Sequence, residues 1–157
     1  MFYLKIINFL LNIIITSMFC CNIIAKEITI DIFFSSEAGS NKIMEFGDIL
    51  TYRQTEGHAT WSDSEGDYGL LNCMGNYVTT KEKGTTLNNY CKGTNRNKDM
   101  FWLIMNRNST DYELGTGRIT YLNGTGKFKK YKNLDCIYAV EVSEGLAVIK
   151  QKCKFIE

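Results

Sequence analysis

The side chains of this 157-residue chain best able to do chemistry are six cysteines, one histidine and a short acidic loop. Cys20 and Cys21 stand in an apolar N-terminal run, which leaves Cys73, Cys91, Cys136 and Cys153. Four thiolates could hold zinc, but such sites use close Cys pairs, and these four are widely spaced. Four cysteines also allow three disulfide pairings. The acidic loop SDSEGD places Asp63, Glu65 and Asp67 at alternate positions that could offer oxygens to calcium. The glutamate that completes a calcium loop is missing, so the loop reads as a solvated turn. His58 could pair with Glu56 or Asp63 for acid–base work, yet a lone strand histidine reads as structural. The residues therefore point to no catalytic group, no metal site and no cofactor.

The elements that carry the cysteines select one pairing. Glu144-Gly145 reads as a two-residue hairpin turn, because Gly accepts the positive φ such turns need. That turn sets Ser143 opposite Leu146 and, counting back, Cys136 opposite Cys153. Facing residues have Cα atoms roughly 4.5–5.5 Å apart, within disulfide reach. The same register collects Tyr138, Val140, Val142, Ala147, Ile149 and Gln151 on the face of the two cysteines, and Ile137, Ala139, Glu141, Val148, Lys150 and Lys152 on the other. A slip of one residue would mix the two sets. A second hairpin centred on Glu82, in KEKG, sets Cys73 opposite Cys91 and Tyr77 opposite Leu87. Two hairpin disulfides, Cys73–Cys91 and Cys136–Cys153, are expected.

Between the last two glycine turns lies RITYLNGTGKF, a β-branched and aromatic strand stopped by Asn123-Gly124-Thr125-Gly126. A basic link follows, with Phe128 and Tyr131 as apolar anchors. Residues 114–142 resemble the Gly-Thr-Gly-Lys-Phe segment of dirigent proteins and the related allene oxide cyclase barrels. Similar segments occur in small secreted bacterial proteins of unknown function. The resemblance implies an eight-stranded antiparallel barrel with an apolar ligand cavity, usually trimeric. The family's catalytic acidic and basic residues have no counterpart assigned in this chain.

Residues 1–25 hold one lysine, a long apolar run and Ala25 before the charges begin, the shape of a secretory leader cleaved after Ala25. An uncleaved anchor is the alternative. Phe19 is not the small residue a lipid-modified cysteine needs before it. Residues 26–157 form a single expected domain in which basic and acidic groups balance, which argues against nucleic acid as partner. Disulfides and leader together place the protein in a secreted or periplasmic compartment, with no stable membrane anchor after cleavage.

Strands are expected over 26–34, 48–54, from 58, over 68–80, 85–91, 100–105 and 118–122, and in the last hairpin, with loops at 35–41, 55–57, 92–98 and 106–111. No helical period of useful length follows the leader. The pattern predicts an all-β fold, an antiparallel barrel of eight or nine strands, with a β-sandwich as runner-up. The run MFWLIM at 100–105 is apolar on both faces, so its outer face needs cover from a partner subunit or another segment. Three roles fit. The first is a binding module whose interior, lined by Trp61, Trp102 and Tyr138, holds a small apolar or amphipathic ligand. The second is an envelope interaction or inhibitor protein acting through an apolar outer face, including a homo-oligomer. The third, implied by the family resemblance, is a cyclase-like enzyme.

Overall fold

The computed structural model describes residues 25–111 and 113–156, and for residues 25, 36–40 and 156 the backbone alone. The expected leader, with Cys20 and Cys21, lies outside the described residues. Eight strands follow one another: β1 (Ala25–Phe46), β2 (Leu50–Asp63), β3 (Tyr68–Thr80), β4 (Gly84–Asn95), β5 (Met100–Ser109), β6 (Leu114–Gly124), β7 (Asp135–Ser143) and β8 (Leu146–Ile156). A short 3-10 helix, Gly126–Tyr131, joins β6 to β7. Each strand pairs antiparallel with the next, and β1 pairs with β8 from Ala25 opposite Ile156 to Ser35 opposite Leu146, so the sheet closes into a barrel. Closure excludes the sandwich.

Alternation builds the core. Ile28, Ile30 and Ile32 of β1 point inward, as do Phe101, Leu103 and Met105 of β5 and Cys136 and Tyr138 of β7. Each large apolar side chain so buried contributes roughly 1.5–3 kcal/mol. Both hairpin registers form as expected: Cys73 faces Cys91, Tyr77 faces Leu87 and Cys136 faces Cys153. Both disulfides are closed and face the interior, with Cα–Cα distances of 4.1 and 4.5 Å. Glu144 and Gly145 both have positive φ, the signature of the tight hairpin turn.

The count of eight or nine resolves to eight because the expected strands 48–54 and from 58 are one strand, β2, and a second expected loop is also strand. Residues 35–41 lie within β1, which shifts register between Phe34 and Gly39, and 55–57 lie within β2. Thr55, Glu56 and Gly57 each have a partner on β3, so a chain that looks punctuated is held by ladder bonds on both sides. β4 likewise runs on to Asn95, and β5 to Ser109, past the loops expected there.

The two ends of the barrel differ. At one end the 3-10 helix folds inward and inserts Phe128 and Tyr131, each 1% exposed. Their rings meet Trp61, Phe101, Tyr121 and Phe155 at centroid distances of 4.9–5.8 Å, mostly edge-on. At the other end stand the tight turns of the β1–β2, β3–β4 and β7–β8 hairpins, with no such plug among the described residues.

Candidate functional site

The unplugged end keeps a cavity of about 170 Å³. Its wall is largely apolar, with Phe34, Leu87, Met105, Val140 and Ile149 contributed by five strands. The exposed residues Glu56, Gly145 and Leu146 stand at its mouth. Two polar side chains in the wall are almost wholly buried: Arg107 at 4% exposure and Tyr138 at 3%.

Local structure explains how these two come together. β5 alternates inward at Phe101, Leu103 and Met105, and its continuation puts Arg107 on the same face, opposite Leu87 of β4. On its other side β5 pairs with β6 only as far as Asn106 opposite Arg118. Beyond that point β6 offers Gly115 and Gly117. A Cβ at Gly115 would come within 3.3 Å of Arg107 Cδ, and one at Gly117 would strike the Tyr138 ring directly opposite on β7. The glycines thus leave the room that the arginine and the phenol fill. Burial pushes the Tyr138 phenol up to about 12, with the Arg107 charge pulling the other way. Tyr138 is therefore a hydroxyl donor at neutral pH. Asn89, from the adjoining position on β4, also lines the cavity.

The acidic loop does something other than either expectation. Asp63 is not solvated: its carboxylate accepts hydrogen bonds from the backbone N–H of Glu65 (3.0 Å) and Asp67 (2.8 Å) and meets Lys127 Nζ at 3.3 Å. Lys127 also pairs with Asp67 at 2.7 Å, and Asn95 Nδ2 donates to Asp67 at 2.8 Å. Burial would raise Asp67, but its bonds from Lys127, Asn95 and the Tyr68 N–H overcome this and hold it below the ordinary range. Lys127 is held above its usual value, its two carboxylate partners outweighing its desolvation. Gly126 lies against the Asp99 carboxylate, where a Cβ would collide, and that carboxylate accepts the Lys127 backbone N–H at 3.3 Å. Lys127, part of the basic link in the sequence, is the bolt that fixes the plug to the β2–β3 loop. Among the described residues no group of His, Cys, Asp and Glu is placed to hold a metal ion.

Of the residues nominated from sequence, Tyr138 lines the cavity. Trp61 faces inward but belongs to the packed end, stacked edge-on against Phe101 at 5.3 Å and Phe128 at 5.8 Å. Trp102 does not face the interior. It sits half-buried on the outer face, because Phe101 and Leu103 on either side of it point in. The cover expected over that face is incomplete: Ile104 is half-buried beside Tyr90 and Met74, which are 61% and 56% exposed. His58 is exposed, and its Nδ1 lies 2.6 Å from Asn72 Oδ1 on the neighbouring strand. Arg107 was missed because NRNST reads as a loop. Extending the alternation of 101, 103 and 105 by one step would have found it.

No protein-family model matches the chain, and no curated protein matches it in sequence. Solved structures do match in shape. A β-barrel-like protein from Acinetobacter baumannii AYE superposes with a TM-score of 0.65 over 84% of this chain and 97% of its own, at 6% identity. A protein of unknown function from Clostridium acetobutylicum ATCC 824 does so with a TM-score of 0.65 over 83% and 98%, at 10% identity. At such identities the likeness is one of fold: the closed barrel of this chain shares the overall shape of those two proteins.

Proposed function

We propose that the protein binds a small apolar or amphipathic molecule in the unplugged half of its barrel. The observation that carries this reading is the unequal filling of the interior. One half is packed ring against ring, while the other keeps a cavity of about 170 Å³ with apolar walls and a mouth. A dry cavity of about 150 Å³ is enough to bind benzene, so the ligand is of that order of size. Two buried disulfides support a role in an oxidising compartment, outside the cell or in the periplasm. Ligand-observed NMR with toluene, benzyl alcohol and benzoate tests the reading. At least one should bind to the native protein, and Ala147→Trp, which fills the cavity from β8, should abolish it. Equal binding by the two proteins would place the site elsewhere.

A second reading, an interaction surface on the outer face, is favoured by one observation. Met74, Tyr90 and Ile104 lie directly opposite one another on β3, β4 and β5, with Trp102 next along β5. This gives a contiguous apolar strip of the kind that marks contact surfaces. Sedimentation of the native protein and Tyr90→Lys tests it: self-association that the charge abolishes would support the strip as an interface, and two identical monomers would argue against self-association.

A further inference from the structure

We infer that the outer face of β4, β5 and β6 binds a short uncharged oligosaccharide, whose hydroxyls are met by the side-chain amides of Asn88, Asn106 and Asn108 and the hydroxyls of Thr86 and Thr116. The inference goes beyond the cavity reading. It concerns the outside of the barrel and stands whether or not the interior takes a ligand.

Register builds the site. Gln54, Asn76, Asn88 and Asn106 stand directly opposite one another on β2, β3, β4 and β5, and the row ends at Arg118 on β6. Beside it, Thr86 stands opposite Asn108. Their neighbours Leu87 and Met105 point inward, so these side chains point outward. Gln54, Asn88, Asn106 and Asn108 are exposed and Asn76 is half-buried. Adjacent strands lie about 4.7–4.9 Å apart, so the row repeats at close to the length of one sugar in an extended chain. Each amide offers an acceptor oxygen and two N–H donors, which suits sugar hydroxyls that both donate and accept. Strands disfavour Asn, so folding does not account for a row of them, and a local rule broken in one patch points to function. The five amide and hydroxyl side chains line a groove of about 820 Å³, beside the point where β5–β6 pairing stops at Asn106 opposite Arg118. Small-molecule sites run to roughly 300–1,000 Å³. Ile137 in the groove, 63% exposed, and Tyr90, next along the outer face of β4, offer apolar surface to the C–H faces of sugar rings. Charge fits as well: the amides and hydroxyls are neutral, and Lys150 and Lys152 at the rim are each held by a carboxylate of β1, Asp31 and Glu27.

The deciding experiment titrates cellotriose, maltotriose, triacetylchitotriose and trigalacturonate onto isotope-labelled protein, following the side-chain amide resonances with calorimetry alongside. At least one uncharged trisaccharide should bind and shift the resonances of Asn88, Asn106 and Asn108, while the methyl resonance of the cavity residue Ile149 stays unmoved. Asn88→Ala with Asn106→Ala, both outward-facing, should keep the native unfolding midpoint and weaken binding about tenfold or more. If that variant fails to fold, the pattern of shifts on the native protein decides alone. Equal binding by the double variant, or shifts confined to the cavity, overturns the site. Tighter binding of trigalacturonate moves recognition to the cationic rim and overturns the uncharged class. Failure of all three uncharged trisaccharides overturns the inference and leaves the cavity reading standing.

Discussion

Asp63 is the residue whose role differs most from its appearance in the sequence. Its side chain is 1% exposed and bonded to two backbone N–H groups and to Lys127. Hydrogen bonds to charged groups are worth about 1.5–3 kcal/mol each. Asp63→Ala should therefore lower stability by about 3 kcal/mol, read from urea midpoints, and Lys127→Met by less, since the backbone bonds to Asp63 persist. The double variant should lose less than the sum, because the two changes remove one shared contact. The pH dependence has a definite sign. Asp67, and Glu65 through its pair with Lys26, are held below the ordinary carboxylate range. Their contribution is complete above the unfolded-state value of about 4 and is lost as pH falls through the lower folded-state values. Lys127, held above its usual value, keeps its contribution at neutral pH and loses it only as pH rises through that raised value. Unfolding at pH 7, 4 and 2.5 should show the acid loss, and Lys127→Met should shrink it. None of this was legible in SDSEGD, because a carboxylate on a turn looks solvated until its partner, 64 residues away in sequence, is brought against it.

At the scale of elements, the two cysteine hairpins were readable because three local signals agreed: a turn residue, a two-residue period and a pair of thiols at matching distance. The β1–β2 pair was not readable. Its signals, a polar run at 35–41 and a glycine at 57, are local, whereas the strands are held by neighbours on β3 and β8. The disulfides span 18 and 17 residues, and each should contribute about 3 kcal/mol by constraining the unfolded chain. Cys136→Ser with Cys153→Ser should lower the unfolding midpoint accordingly, and reduction of the native protein should reproduce the combined loss of both bridges. The 3-10 helix is the other decisive element. Phe128→Ala removes a ring that touches three others and should cost about 3–5 kcal/mol, with tryptophan fluorescence reporting the change beside Trp61. GTGKF pointed correctly to a strand stop and an apolar anchor. That the anchor would be a plug depended on packing that no local pattern carries.

For the molecule as a whole, the shape is shared at 6% and 10% identity, so the fold tolerates almost complete exchange of side chains; in this chain it is the inward–outward alternation along the strands that fills the ring. A ligand that fits the cavity should raise the melting temperature in proportion to its excess over Kd, by about 2.7 kcal/mol of stability at a hundredfold excess, and Ala147→Trp should be blind to it. Because β8 returns to β1, every strand has a paired neighbour on each side, and nothing in the ring marks one strand as first. The architecture should therefore survive circular permutation. Residues 25 and 156, side by side in the sheet, can be tethered and a new opening made at the exposed turn around Glu82. The Cys73–Cys91 bridge, which now closes a loop of 18 residues, would then close one that runs through nearly the whole barrel, and its stabilising effect should grow while the barrel stays the same.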